Sequence, residues 1–89
     1  MFDILNKLFR AVFPPEFTVT IRNGIAESTQ GKITHKALSD FTEVAQQQNI
    51  SQGTIVGVRR DVQITLEFSS DIPQSEHQRF RNAWGMNKF

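Results

Sequence analysis

Residues 53–84 read GTIVGVRRDVQITLEFSSDIPQSEHQRFRNAW, and three clear local signals follow one another in this stretch. Apolar and polar side chains alternate from Val62 to Phe68, which is the pattern of a half-buried strand. Short polar residues then interrupt the strand, and Pro73 is suited to the first turn of a helix. Apolar residues recur at helical spacing as far as Trp84, so we predict a strand, a turn and an amphipathic helix.

A first hairpin is predicted upstream, where residues 17–22 alternate in the same way and Asn23-Gly24 follows at once. This dipeptide favours a two-residue hairpin turn, because both of its positions tolerate the positive φ that such a turn requires. Gly31 is expected to close the second strand. The register pairs Ile21 with Ala26 and Val19 with Ser28, and it places Phe17, Val19, Ile21 and Ala26 on the inner face.

The central helix is predicted from a start signal and from one apolar stripe. Thr34 can accept a hydrogen bond from the free amides of the first turn, and Ile33 precedes it where it can pack against Leu38. Asn49 is the expected end of the helix. The apolar stripe consists of Ala37, Leu38, Phe41, Val44 and Ala45.

A second hairpin should turn around residues 59–61, and its register leaves two alternatives. A two-residue loop places Ile55 and Gly57 on the inner face, whereas a three-residue loop places Val56 and Val58 there. We favour the first alternative, because a glycine inside a strand often marks the close approach of another element. The two valines would then form an apolar spot on a polar face, which the amino-terminal segment or a second subunit could cover.

Residues 1–13 predict a third helix, which is amphipathic and ends at Pro14-Pro15. It is too short and too charged to span a membrane, which takes about 20 apolar residues, and it lacks the cleavage site of a signal peptide. Its apolar side has three alternative contacts: its own sheet, which is the default, another copy of the chain, or a membrane interface. The predicted interaction surface comprises Phe2, Leu5, Lys7, Leu8, Phe9, Arg10 and Val12.

Together these elements predict an α+β fold for a chain of 89 residues, which has room for one domain. Residues 1–13 form the amino-terminal amphipathic helix, and residues 14–89 form the single domain. Its predicted order is ββαββα, with a four-stranded antiparallel sheet and two helices packed on one face. One face suffices, because each of these helices has a single apolar stripe to bury.

The composition argues against several classes of function. Ten lysines and arginines stand against nine acidic residues, and a net charge of +1 gives no argument for nucleic acid or for an acidic substrate. The lack of cysteine excludes disulfides and thiolate metal sites and fits a cytoplasmic protein. No glycine-rich phosphate loop is present, and we expect no cofactor.

Candidate catalytic and metal-binding residues are few. Ser69, Ser70, Asp71 and His77 include the residue types of a catalytic triad, but a turn followed by a helix explains the same residues. His35 has no acid and no second histidine at ligand spacing. We therefore expect neither an enzyme nor a metal site.

An alternative function is weak binding of single-stranded nucleic acid through a basic surface of Arg59, Arg60, Arg79 and Arg81. Such platforms need exposed aromatic side chains, whereas the alternation places Phe17 and Phe68 on the inner face. Arg79 and Arg81 flank Phe80 at about 100° on a helical wheel, where long side chains lay their stems along a core and reach water or a carboxylate. Nucleic acid is therefore the less favoured partner.

A resemblance to a known family rests on Gly53, Ile55, Gly57, Leu66-Glu67-Phe68-Ser69, Ile72-Pro73, Gln78-Arg79-Phe80-Arg81-Asn82 and Trp84. With these residues, the region from Phe17 to Trp84 resembles small bacterial proteins grouped as a domain of unknown function. The resemblance implies no activity, but it implies that a membrane-spanning segment often precedes the small domain. Here Asp3, Lys7 and Arg10 interrupt that segment, which favours a position in the membrane interface instead.

The leading hypothesis from the sequence is a non-enzymatic interaction module. We expect it to self-associate, or to bind a membrane surface or a partner, through the amphipathic residues 1–13. The expected partners are a second copy of the chain and a peripheral membrane contact, with neither nucleic acid nor metal. The expected location is cytoplasmic or membrane-peripheral.

Overall fold

A computed structural model describes residues 15–85 of the chain. They form an α+β fold with a four-stranded antiparallel sheet and two helices, as predicted. The order along the chain differs from the predicted one, because a 3₁₀ turn precedes the last helix. The elements are β1 (Phe17–Arg22), β2 (Ile25–Gly31), α1 (His35–Gln47), β3 (Gln52–Arg60), β4 (Gln63–Phe68), the 3₁₀ turn (Gln74–Glu76) and α2 (His77–Gly85). The helix predicted for residues 1–13 lies outside the described residues.

The sheet has the strand order β2-β1-β3-β4, and all neighbouring strands are antiparallel. The first hairpin forms as predicted, because Asn23 and Gly24 adopt φ angles of 55° and 77°, the left-handed backbone of a tight two-residue turn. β2 ends at Gly31, as expected. The predicted pairs are both present, Ile21 with Ala26 and Val19 with Ser28.

The second hairpin turns at Asp61-Val62, later in the chain than the predicted residues 59–61, because Asp61 adopts the left-handed backbone with φ of 57°. The assignment of Val62 to the half-buried face of the last strand is therefore wrong, and its side chain is 88% exposed. The favoured choice of faces is confirmed, since the later turn shifts the register by two residues and leaves the faces unchanged. The pairs that fix these faces are Ile55 with Phe68 and Gly57 with Leu66.

The core lies between the sheet and the two helices, on what we call the inner face of the sheet. α1 begins as predicted, because Thr34 Oγ1 accepts a hydrogen bond from Ala37 N at 3.1 Å. Phe41 of α1 meets Phe80 of α2 edge to face, with ring centroids 5.8 Å apart. The buried cluster comprises Phe17, Val19, Ile21, Ala26, Phe41, Ala45, Ile50, Ile55, Leu66, Ile72, Phe80 and Ala83.

Two glycines of β3 allow large side chains to lie directly on the sheet. The ring of Phe17 occupies the place that a Cβ on Gly57 would take, and Ile72 Cγ1 lies 2.5 Å from the position of a Cβ on Gly53. Phe17 also packs on Trp84 of α2, with ring centroids 5.1 Å apart. The close approach inferred from a glycine inside this strand is thus confirmed, and it fixes the elements around β3.

Candidate interaction surface

The face of the sheet opposite the helices, which we call the outer face, carries one apolar spot. Side chains alternate between the two faces along a strand, so Thr18, Val56 and Val58 point away from the helices. Thr18 pairs with Val56 across the two central strands, and Val58 follows two positions later in β3. These three residues together are called the outer patch below.

Two of the three residues of the outer patch are buried, although none belongs to the apolar cluster beneath the helices. Val58 is 1% exposed and Thr18 is 5% exposed, while Val56 is half-buried. Thr18 Oγ1 is itself buried and makes no hydrogen bond within residues 15–85. A bare sheet face would leave such side chains open to water, where a hydroxyl finds a partner. Thr18 and Val58 are therefore withdrawn from water on the face opposite the helices.

Two ion pairs lie near the end of β3; Arg60 and Glu67 belong to the outer face, whereas Arg59 pairs with Ile64 and alternates to the inner face. Arg59 Nε lies 3.0 Å from Glu16 Oε2, and Arg60 Nη2 lies 3.5 Å from Glu67 Oε2. All four side chains are partly exposed, so each pair contributes only about 0–1 kcal/mol to stability. The Arg60–Glu67 pair thus places charges of both signs beside the apolar spot.

The chain enters the domain beside this patch. Glu16 N donates a hydrogen bond to Gly57 O at 2.7 Å, next to Val58 in β3. The β3–β4 hairpin extends past this point, because Gly57 already pairs with the first residue of β1, and its turn carries the exposed Val62. Residues 1–13 are therefore connected to the domain at this end of the two central strands. The predicted interaction surface of Phe2, Leu5, Lys7, Leu8, Phe9, Arg10 and Val12 lies outside the described residues.

The four arginines of the predicted basic surface lie in separate places. The first two stand at the end of β3, in the ion pairs just described. Arg79 borders a groove between α1 and α2, where its Nε lies 2.9 Å from Glu76 Oε1, an ion-pair distance without hydrogen-bond alignment. Arg81 borders another groove beside β4 and lies over the ring of Phe68, 5.3 Å from its centroid. Each arginine thus has a partner within the domain.

Within residues 15–85, no aromatic side chain has the exposure that a stacking platform for bases requires. Phe17 is buried in the core, and the ring of His77 stacks on Phe68 with centroids 4.1 Å apart. These contacts give no support to the nucleic-acid alternative, which stays a prediction.

The residues with catalytic side-chain types have local structural roles. Ser69 Oγ accepts a hydrogen bond from Thr54 N at 2.9 Å, and His77 Nε2 lies 3.1 Å from Ile72 O. In the part of the chain that the structure describes, no hydrogen bond joins this imidazole to a serine, and no cluster of acidic and histidine side chains is suited to a metal ion. No helix in that part has the length and apolar character needed to cross a bilayer. The expectation of no enzymatic activity stays a prediction.

Sequence reasoning misses two features of the candidate surface. The ion pair of Glu16 with Arg59 joins residues 43 positions apart, and no local pattern indicates it. The alternation also assigns Thr18 to a solvent-facing row, whereas its side chain is buried. The sequence signal that indicates the apolar spot is the favoured register of β3, which places Val56 and Val58 together on the outer face.

Comparison with known proteins concerns the whole chain. No curated protein and no solved structure matches it. A family model with the description "Protein of unknown function (DUF3634)" matches residues 4–89. This match confirms the resemblance seen between Phe17 and Trp84, and it extends through most of the amino-terminal segment. The chain therefore belongs to the DUF3634 family, a family of unknown function.

Proposed function

We propose that this protein is a non-enzymatic interaction module that attaches to a membrane surface or to a second copy of itself through the apolar side of residues 1–13. The observation that carries the proposal is that the two helices already fill the inner face of the sheet. Phe17, Phe41 and Phe80 are each at most 1% exposed and form one cluster between the layers. A third helix therefore finds no free apolar surface on that side.

Because the inner face of the sheet is filled, the apolar side chains of residues 1–13 need a contact elsewhere. Burying one large apolar side chain is worth about 1.5–3 kcal/mol, so a row of them strongly favours some form of burial. The side chains concerned are Phe2, Leu5, Leu8, Phe9 and Val12.

The end of the sheet where residues 1–13 are attached suits a contact with a membrane or a second copy. The exposed Val62 lies on the hairpin that projects there, with Arg59 and Arg60 immediately before its turn. Lys7 and Arg10 add positive charge at the border of the apolar side. Apolar side chains with neighbouring basic ones are the composition of a segment that binds an anionic membrane interface.

The test compares Leu5→Asp with Asn6→Asp in the intact chain. Both variants add one carboxylate to the same segment, but only the first places it on the apolar side. Flotation with vesicles that contain anionic lipid measures membrane attachment, and sedimentation equilibrium measures self-association. Leu5→Asp should weaken the contact at least about tenfold, because tenfold corresponds to 1.4 kcal/mol and the lost burial exceeds that. Asn6→Asp should change it by less than about threefold, since surface changes cost within about 0.5 kcal/mol.

The two measurements separate the two forms of attachment. A loss seen in flotation alone assigns the contact to membranes, and a loss seen in sedimentation alone assigns it to a second copy. The proposal is wrong if the intact chain neither floats nor associates, or if both variants behave like the intact chain.

A further inference from the structure

We infer that β4 is an open edge of the sheet at which two copies of this chain join. Each β4 pairs antiparallel with β4 of the other copy, so that the two sheets become one. This contact uses residues 63–68, and it therefore goes beyond the attachment proposed above and does not depend on residues 1–13. A two-fold axis generates such a contact, because the same strand serves as both partners.

The two edge strands of the sheet differ in how their free edges are protected. The pairing of β2 with β1 is irregular between Thr18 and Val19, and Thr42 Oγ1 of α1 accepts a hydrogen bond from Ala26 N of β2 at 2.9 Å. Bulges and covering elements of this kind hinder the pairing of another strand with an edge. β4 keeps a regular register with β3 over its full length and contains neither proline nor lysine. Of the two edges, β4 is therefore the one that suits another strand.

The free edge of β4 presents backbone groups that can pair. Ser69 N donates a hydrogen bond to Thr54 O at 2.9 Å, so the backbone groups of Ser69 point to β3. These directions alternate along an antiparallel strand, so those of Thr65 also point to β3, whereas those of Ile64 and Leu66 point to the free edge. Within residues 15–85, no hydrogen bond from outside the ladder reaches Ile64 or Leu66. Both can exchange backbone hydrogen bonds with an added strand.

The sequence of β4 is complementary to itself when two copies run antiparallel around Thr65. Ile64 then lies opposite Leu66 of the second copy, and Gln63 lies opposite Glu67 of the second copy. The first pair is apolar on the inner face, and the second pair sets an amide against a carboxylate on the outer face. The two Thr65 side chains face each other on the axis. Apolar side chains thus meet apolar ones, and polar side chains meet polar ones.

The neighbouring registers are less favourable. A shift by two residues in one direction sets Glu67 against Asp61 of the second copy, and two acidic side chains in such positions repel each other. The opposite shift leaves Val62, which is 88% exposed, beyond the paired strands. The register around Thr65 instead brings Val62 next to Phe68 of the second copy, which gives this exposed side chain an apolar contact.

A groove beside β4 has room for side chains of the added strand. Its volume is about 220 Å³, and it lies between β4 and α2, where Ile64, Leu66 and Trp84 contribute to its lining. In the paired form, the inner-face side chains of the second β4 extend the apolar surface along this groove. Ile64 is only half-buried in one chain, and its further burial favours the pair.

Single cysteines test the register, because the natural chain contains none. Thr65→Cys sets two thiols opposite each other in a non-hydrogen-bonded pair, where Cα atoms are about 4.5 Å apart and a disulfide can form. Gln63→Cys and Glu67→Cys each leave identical thiols four residues out of register, roughly 14 Å apart. With copper phenanthroline as the oxidant, T65C should form a disulfide-linked dimer at least about tenfold faster than Q63C or E67C alone. A mixture of Q63C and E67C should restore the fast reaction.

Three results would overturn the pairing. Crosslinking of T65C no faster than that of Q63C would indicate random collision. Fast crosslinking of E67C alone would indicate another register. Loss of the T65C crosslink on adding Leu5→Asp would make the contact a consequence of residues 1–13. If T65C fails to fold by circular dichroism, the mixture of Q63C and E67C decides by itself, and a mixture that reacts no faster than its components overturns the pairing.

Lysine substitutions test the same register without a covalent bond. Thr65→Lys sets two like charges opposite each other, whereas Gln63→Lys sets a lysine opposite Glu67 of the second copy. Both are measured by sedimentation equilibrium in a chain that carries Leu5→Asp, which removes the contact through residues 1–13. T65K should weaken the dimer about three- to fivefold, and Q63K should strengthen it about twofold.

Equal effects of the two lysines, or a Leu5→Asp chain that stays monomeric, would overturn the pairing around Thr65. Failure of the proposed function appears separately, as a Leu5→Asp variant that floats and associates like the intact chain. That result leaves the comparison between T65C and Q63C unaffected, because both cysteines lie in β4.

Discussion

The two faces of this sheet differ in how their side chains are covered. The inner face belongs to a continuous apolar cluster in which Phe41 and Phe80, one from each helix, meet edge to face. The outer face has two valines and a buried threonine beside one partly exposed ion pair, that of Arg60 with Glu67. Large apolar contacts with good packing carry most of a small domain's stability, while exposed ion pairs contribute little. Stability should therefore reside mainly on the inner face.

Glycine placement shows the same difference between the faces. Gly57 receives the ring of Phe17 and Gly53 receives Ile72, and both contacts belong to the buried cluster. The residues of β3 that alternate with these glycines include Val56 and Val58, which carry side chains on the outer face. β3 thus has glycines on the face that packs against the core and valines on the face that carries the outer patch.

The largest expected effect comes from the same truncation on the two faces. Val19→Ala should lower the free energy of unfolding by about 2–4 kcal/mol, because Val19 is fully buried in the cluster and the change leaves a cavity. Val56→Ala should cost at most about 1 kcal/mol, since this side chain is only half-buried. Urea denaturation followed by circular dichroism measures both values. Similar losses for the two variants would break the assignment of stability to the inner face.

Gly57→Ala sharpens the comparison within a single strand. Its methyl group would overlap the ring of Phe17, which is 1% exposed and cannot move freely. Overpacking of this kind costs about 1–3 kcal/mol, which exceeds the gain of about 0.4–1 kcal/mol from a less flexible unfolded chain. The urea midpoint should therefore fall.

Gly85→Ala is the matched control for that substitution. A Cβ at Gly85 meets nothing within 4 Å, and the residue ends α2. Its urea midpoint should stay the same or rise slightly, since alanine is the better helix former. If both alanine variants had the same urea midpoint, the close packing of the Phe17 ring on Gly57 would make no measurable contribution to stability.

Thr34→Ala tests how much of the inner-face packing depends on the start of α1. Thr34 Oγ1 accepts the hydrogen bond from Ala37 N, and the loss of such a cap costs about 1 kcal/mol. The urea midpoint should fall by the corresponding amount. Thr34→Ser keeps a hydroxyl acceptor and should retain most of the stability. Equal losses in the two variants would show that the methyl group of threonine matters and the cap does not.

Local chemistry explains which parts of the fold can be predicted from the sequence. Asn23-Gly24 specifies its turn and therefore the whole register of the first hairpin, and Thr34 specifies the start of α1. Both depend on residues within four positions of one another. The faces of β3 can be predicted in the same local way. Gly57 indicates the close approach of another element, even though the sequence does not show which element it is.

Long-range contacts explain what the sequence leaves undetermined. The alternation that ends in Phe68 continues back through Val62, so it does not show that Asp61 takes the left-handed backbone and starts the turn. The burial of Val58 depends on whatever covers the outer face, and the pairing of Glu16 with Arg59 depends on the strand order. The candidate site consists mainly of such contacts. The fold of the domain can therefore be predicted from the sequence more completely than this site.

The smallest expected effect is the coupling of Arg60 with Glu67 on the outer face, measured by a double-mutant cycle of Arg60→Ala and Glu67→Ala. The two charged groups lie 3.5 Å apart and are about half exposed, so the coupling should be about 0.2–1 kcal/mol and should shrink with added salt. Urea is the appropriate denaturant, because guanidinium chloride would itself screen the pair. Arg59→Ala with Glu67→Ala is the matched cycle and should show no coupling, since Arg59 pairs with Glu16. A coupling well above 1 kcal/mol in the first cycle would mean that the pair is desolvated, and the outer face would then contribute to stability as well as to contact.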